Sequence, residues 1–346
     1  MALLLVAHTG KAQNCRTLIE ASQVGNYDQV VALLNSGTDP DCTYNITGGP
    51  RTALNAAASK GHLSIVKHLL DEGASVNFFA RRDASPLMSA AQKGHFEVAA
   101  YLMAQGARVN QKVSGDGTPL LSAVRGGSEK LVDLMIKEGA DVNSKVLGDG
   151  TPLIAAVNRQ NTEMVKMLLE AGANPNLGSP GDGSPMQAAG DQYKEAIMDL
   201  LIEYGGRVDK YTRGDASALI QAVRKGKLKA VQSLVNRGAS PNRSVPGDGS
   251  PLIAAAKYGH YEIAKFLIDK GANVNKEVAG DETPLIAASW NGHLDLVKLL
   301  IENGADPNKT TREKSFFNTE IRSPLKMAKK EGHSDIVDYL KAKGAR

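Results

Sequence analysis

Eight glycines, Gly73, Gly106, Gly139, Gly172, Gly205, Gly238, Gly271 and Gly304, stand 33 residues apart along this chain of 346 residues. A second marker falls in the same phase: Ser85-Pro86-Leu87, Thr118-Pro119-Leu120, Thr151-Pro152-Leu153, Ser250-Pro251-Leu252 and Thr283-Pro284-Leu285. A fixed period of that length marks a repeat array and not a globule with one core. Such an array has no single pocket that must hold a catalyst. It offers a long surface, repeated many times. Length therefore says little about domain number, because a solenoid grows by adding units.

Residues 151–183 show the unit. Thr151 is a good helix N-cap, and Pro152 falls at the first helical position, where its missing N–H costs nothing. Leu153, Ala156 and Val157 follow at helical spacing on a short face rich in Ala. Arg159-Gln160-Asn161 breaks the pattern before a second helix carrying Met164, Val165, Leu168 and Leu169. Gly172 ends that helix in the left-handed conformation that glycine adopts cheaply. An extended finger tipped by Gly181-Asp182-Gly183 leads to the next unit.

This pattern resembles the ankyrin repeat over almost the whole chain. The matching pieces are the Thr/Ser-Pro-Leu start, the Gly-Ala-x-Val-Asn end and the Gly-His turn at Gly61-His62, Gly94-His95, Gly259-His260, Gly292-His293 and Gly332-His333. One departure is consistent: the family's usual His after Thr-Pro-Leu is apolar here, as Leu121, Ile154, Ile220, Ile253 and Ile286. Apolar packing should replace the hydrogen bonds that His would make. The resemblance implies an all-α solenoid, a curved elongated rod of helix–turn–helix units with projecting fingers. Ten units, stacked at helix-packing distance, would make it on the order of 90 Å long.

The expected organisation is a single array over 1–346. Residues 1–40 form an N-terminal capping repeat, 41–307 the internal repeats, and 308–346 a long finger plus a C-terminal capping repeat. The insertions at 41–52 and 308–323 lengthen the terminal fingers. The unit 184–214 is the least regular, and Gly190-Asp191 should disrupt its first helix. The apolar start, Met1 to Ala7, is short and lacks a basic flank, so it reads as a terminal packing segment and not a signal peptide. No membrane insertion is expected. Cys15 and Cys42 have no metal or redox spacing, which suggests a reducing compartment and a cytoplasmic protein.

No catalytic motif is present: His-Glu-x-x-His, Cys-x-x-Cys, the phosphate-binding loop and Gly-x-Ser-x-Gly are all missing. The Gly-His histidines read as turn residues, each within its own repeat. Asp83, Asp116, Asp149, Asp182, Asp215, Asp248 and Asp281 recur every 33 residues and raise a divalent cation as one reading. The competing reading makes each a turn residue at its own finger tip. Tips roughly 10 Å apart could not share one ion, which favours the turn. The Asn series from Asn77 to Asn308 reads likewise as local hydrogen bonding. No catalytic residue, metal or cofactor is assigned.

In ankyrin proteins partners bind the concave face, made of finger tips and first-helix ends. Carried onto this sequence, that face takes the two positions before each Gly-His slot. Lys60, Lys93, Arg125, Arg159, Arg224, Lys225 and Lys257 fall there, with acids only at Asp191 and Glu331. Arg81, Arg82 and Arg213 on the fingers extend the stripe. Tyr258 and Trp290, the chain's one Trp, fall on successive repeats and are expected to be exposed anchors. Phe78-Phe79 and Phe316-Phe317 are weaker candidates. An ordinary solvated surface is the competing reading, but a chain with 41 basic and 37 acidic residues should then show mixed signs. The expected function is non-enzymatic recognition of a protein partner of acidic character by a chain that is monomeric alone. The alternative is RNA, an oligonucleotide or another polyanion on the same face, and an enzyme is the least supported reading.

Overall fold

The computed structural model describes residues 2–46, 49–80, 83–115, 117–146, 148, 150–212, 216–278, 282–314 and 319–346. Among them twenty helices run in successive pairs, with two short hairpins. The chain divides into two compact units, Met1–Asp182 and Gly183–Arg346.

The first unit opens with α1 (Ala2–Val24) and α2 (Tyr27–Asn35), followed by a hairpin of β1 (Tyr44–Ile46) and β2 (Gly49–Arg51). Four pairs follow: α3 (Ala53–Lys60) with α4 (Leu63–Asp71), α5 (Pro86–Lys93) with α6 (Phe96–Ala104), α7 (Pro119–Gly126) with α8 (Glu129–Lys137), and α9 (Pro152–Asn158) with α10 (Thr162–Glu170). The second unit holds α11 (Pro185–Asp191) with α12 (Glu195–Glu203), α13 (Ala218–Arg224) with α14 (Leu228–Asn236), α15 (Pro251–Tyr258) with α16 (Tyr261–Asp269), and α17 (Pro284–Trp290) with α18 (Leu294–Glu302). A hairpin of β3 (Thr311–Lys314) and β4 (Thr319–Arg322) precedes α19 (Pro324–Lys330) and α20 (Ser334–Ala342). The insertions read from the sequence are these two antiparallel hairpins, with Tyr44 opposite Arg51 and Thr311 opposite Arg322.

Each first helix starts as its sequence dictates. The Thr151 hydroxyl accepts the Ile154 N–H, and Ser85, Thr118, Ser250 and Thr283 do the same for their own third residues. Small side chains then let first helices approach one another. Ala53 to Ala58 are all buried in α3, and a Cβ on Gly126 of α7 would sit 2.6 Å from the Gln92 carbonyl oxygen of α5. First helices therefore touch their neighbours more extensively than second helices do, which puts them on the inner side of each stack. The residues in place of the family's His are packed as expected: Leu121, Ile154, Ile220, Ile253 and Ile286 are at most 3% exposed. Asn55 occupies the same position in α3 and donates instead to Asp83 Oδ2 and the Ala84 carbonyl.

Two series read as local prove to cross between repeats. The Nε2 of His62, His95, His260, His293 and His333 meets the carbonyl of Gln23, Ser59, Arg224, Lys257 and Trp290, each in the preceding repeat, at 3.1–3.3 Å. A carbonyl only accepts, so Nε2 carries the proton. The ring lies over the preceding turn glycine. At Gly259, whose φ is 77°, a Cβ would stand 2.7 Å from the His293 ring, and Gly25, Gly61, Gly226 and Gly292 face their histidines in the same way. Gln160 and Tyr193 hold this turn position with φ of 60° and 53°, and the slots that follow them carry Lys194 and Lys227 in place of His.

The Asn series forms the second ladder. Asn110 donates to the Gly139 carbonyl at 2.9 Å and accepts the Asp141 N–H at 2.8 Å, both in the next repeat. Asn77, Asn143, Asn242, Asn275 and Asn308 repeat this double bond. An amide is needed because it both donates and accepts. Asp41 and Asp209 occupy the slot twice, and each only accepts, from Ser75 and Ser240 respectively.

Two more expectations are corrected. Gly190 does not break α11, which runs through Asp191; a Cβ there would come within 3.2 Å of Leu234, so the glycine permits close packing on α13 and α14. Cys15 and Cys42 are joined by a disulfide with their Cα atoms 5.9 Å apart, tying α1 to the first finger. The paired cysteines give no support to the reducing compartment expected from their spacing.

The bond closes a loop of 27 residues, which in the chain-entropy account stabilises by about 3.5 kcal/mol. Reduction, or Cys42→Ser, should lower the urea midpoint of the first unit correspondingly, and an unchanged midpoint would show the tie to be idle. Gly259→Ala and Gly271→Ala place the same strain on left-handed turns, but only Gly259 faces a ring. Gly259→Ala should therefore be the more destabilising in denaturant titration, by about 1 kcal/mol or more.

Candidate functional site

Helix ends bring the described candidates, from Lys60 to Trp290, to the first-helix side of each unit. In the first unit Lys60 and Lys93 are exposed at the ends of α3 and α5. With Arg51 of β2, Asn55, Ser59 and Gln92 they line a groove of about 420 Å³. Asp83 is in the same groove, and its carboxylate is already engaged: Oδ2 by Asn55 at 2.6 Å and Oδ1 by the Ala84 N–H at 3.0 Å. Arg51 was not singled out from the sequence because it lies in the first insertion, out of phase with the repeat. Arg125 is half-buried, and its carbonyl accepts Nη1 of Arg159 at 2.6 Å. Arg159, although exposed, thus folds over the Gly127 turn and does in its repeat what His does elsewhere.

In the second unit the bases are largely paired. Arg224 meets Asp248, while Lys225 and Lys227 converge on Asp191 at 2.7 and 2.9 Å. Lys227 also donates to the Asp191 carbonyl, again in the slot of a His. Burial pushes the Asp191 carboxyl up, but the two ammonium groups outweigh it and hold the carboxyl below its usual range. Asp248, like Asp83, takes a donor from an inner helix, so the finger-tip acids do more than cap their own turns. No cluster of three or more metal-ligating side chains occurs among the described residues.

The aromatic pair splits. Tyr258 is 48% exposed, its ring stacked beside His260 with centres 6.4 Å apart, and neighbouring Lys257 is exposed too. Trp290 is not the exposed anchor expected. It is half-buried under the guanidinium of Arg322, 4.4 Å from the ring centre, with Lys330 at 5.6 Å. Its Nε1 donates to Glu331 at 3.1 Å. Arg322 is itself paired with Glu282 and Glu320, so β4 straps Trp290 down. Phe78 is exposed and Phe79 half-buried. Arg81, Arg82, Arg213, Phe316, Phe317, Asp116, Asp149, Asp215 and Asp281 lie outside the described residues.

The model for ankyrin repeats in three copies matches residues 18–113, 111–179 and 244–311, and that for ankyrin repeats in many copies matches 219–268 and 287–340. The chain belongs to the ankyrin-repeat family. Residues 180–218, the least regular stretch, lie outside both ankyrin matches. Among solved structures, the crystal structure of the human ASB11 ankyrin repeat domain is similar, with 28% identity and a TM-score of 0.55 over 65% of this chain and 98% of that one. No curated protein matches. Ankyrin repeats are in general protein-interaction modules, and no described helix here is long and apolar enough to cross a membrane.

The burial of Trp290 makes a direct prediction. Trp290→Ala removes a ring held between Arg322, Lys330 and Glu331, so it should lower stability by about 2 kcal/mol. Thermal melting with hydrogen exchange at 284–342 checks this; unchanged protection there would return the residue to the list of exposed anchors.

Proposed function

We propose that this ankyrin-repeat chain is a non-enzymatic recognition scaffold whose inner face binds a protein partner of acidic character. The observation that carries the reading is the first-unit groove. Arg51, Lys60 and Lys93 converge there, and its one acid, Asp83, is already hydrogen-bonded. An acidic side chain entering that groove meets bases whose charge is not internally matched. Lys257 and Tyr258 offer the second unit's contribution, an exposed aromatic beside a cation. The polyanion alternative is weakened by the ion pairs of Arg224 with Asp248 and of Lys225 with Asp191. A strand of phosphates needs a continuous run of bases, and here the run is interrupted.

Affinity capture from an extract of the source cell, with wild type beside a Lys60→Glu/Lys93→Glu variant, tests the reading. The charge reversal should weaken capture of an acidic protein at least about tenfold, equivalent to 1.4 kcal/mol, with an unchanged circular dichroism spectrum. Tyr258→Ala should cost about 2 kcal/mol if the ring is an anchor. Equal capture by all three proteins would overturn the assignment of the face, and capture abolished by nuclease would favour a polyanion.

A further inference from the structure

The first finger is fastened by a bond with no counterpart elsewhere in the chain, since Cys15 and Cys42 are its two cysteines. Between α2 and β1 the backbone turns at residues 39–42. There Asp39 Oδ1 accepts the Asp41 N–H at 2.9 Å, and the Asp39 carbonyl accepts the Cys42 N–H at 3.1 Å. That turn sends two neighbouring residues to different parts of the array. Asp41 accepts the Ser75 N–H at the next finger, and Cys42 is bonded back to α1. Beside the bond, Glu20 and then Tyr44 of β1 hold the Arg16 guanidinium above its usual range, so α1 meets the finger at a second point.

This finger depends on the bond more than a regular one would. In the regular ladder an asparagine both donates to a glycine carbonyl and accepts an N–H, as Asn77 does with Gly106 and Arg108. Asp41 stands in that slot, and a carboxylate has no proton to donate to the Gly73 carbonyl. Half of the ladder contact is missing where the disulfide is present. The hairpin that follows carries Arg51, paired opposite Tyr44, into the groove lined by Lys60 and Lys93. The bond thus holds one wall of that groove through β1 and β2. The two cysteines differ in access: Cys15 is 5% exposed, whereas Cys42 is half-buried.

We propose that the Cys15–Cys42 disulfide is a redox switch that sets whether the first finger, and Arg51 with it, stays fixed on α1. A thiolate of the glutathione or dithiol class attacks Cys42, the more accessible of the pair, and Cys15 leaves as a thiolate that takes up a proton. A second thiolate attacks the mixed disulfide and releases Cys42 in the same way. The two cysteines gain two electrons and two protons in all, and the reductant becomes its own disulfide. Oxidised glutathione reverses both steps. Opening a loop of 27 residues returns conformational freedom to the finger. Repeats contact only their neighbours, so the change stays local to the finger and its groove. A weaker hold on an acidic ligand rests on the function proposed above; release of the finger does not.

The test follows amide hydrogen exchange of the full chain, oxidised or held in dithiothreitol, with a hexaglutamate peptide as probe of the groove. Reduction should quicken exchange at 42–46 at least about tenfold and leave α8 unchanged. Cys15→Ser should exchange fast in both conditions. Asp41→Asn supplies the missing amide, so reduction should quicken its finger severalfold less. Reduction should also weaken hexaglutamate binding severalfold, though less than Lys60→Glu/Lys93→Glu does. Equal exchange at 42–46 in the oxidised and reduced chain, or quickening that reaches α8, overturns the switch. A loosened finger with unchanged hexaglutamate affinity overturns its hold on the groove. Hexaglutamate ignored by both forms counts against the groove alone, and the exchange still decides the switch.

Discussion

Backbone carbonyls left at helix ends are the constraint on which each stack depends. A short helix leaves its last carbonyls without intrahelical partners, and this chain has many short helices. Asn110 and its equivalents satisfy the glycine carbonyl after one neighbouring second helix, and the histidines satisfy a carbonyl at the end of a neighbouring first helix. Both ladders reach into the adjacent repeat. Apolar burial draws the helices together, but these directional bonds fix the register at which they stack. Without them, Ala-rich faces could slide at little cost, since one alanine resembles another.

The electrostatics of the inner face follow from the same economy of space. Where the turn loses its histidine, a long cation takes over the carbonyl: Arg159 at Arg125 and Lys227 at Asp191. Arg159 looks like a ligand for a partner when counted along the sequence, yet it acts on the chain's own backbone. Asp191 and Asp248 then match Lys225 and Arg224 as well. Among the described candidates of the inner face, what is left for an outside partner lies in the first-unit groove and at Lys257 and Tyr258.

The period, the caps and the two-helix unit were legible because each rests on local chemistry. Thr151-Pro152 starts a helix and Gly172 ends one whatever lies beside them. The histidines and asparagines were misread because their partners are 29 to 43 residues away in the chain, and a local reading assigns a polar residue to its nearest backbone. Trp290 was misread for a related reason. Its cover comes from an inserted hairpin, where Arg322 has no counterpart in the regular repeat. Glycine at 190 shows the opposite error: a residue that breaks isolated helices is tolerated in α11 because Leu234 fills the space its side chain would take. The disulfide joins cysteines from a helix and a finger, and only the three-dimensional path brings them together.

The pairing of a turn glycine with the following repeat's histidine carries a consequence for how such a chain can lengthen. Gly259 and His293 belong to different 33-residue units by the sequence count, yet the ring requires a glycine at the turn it covers. Gln160 and Tyr193, each followed by a lysine in place of histidine, show the pair changing as one. Because Gly259 and His293 are 34 residues apart and the period is 33, copying one unit always sets a turn from one copy against a ring from the next. The junction is matched where that turn residue is glycine, whereas a histidine unit placed after the Gln160 or Tyr193 turn would set a ring against a side chain.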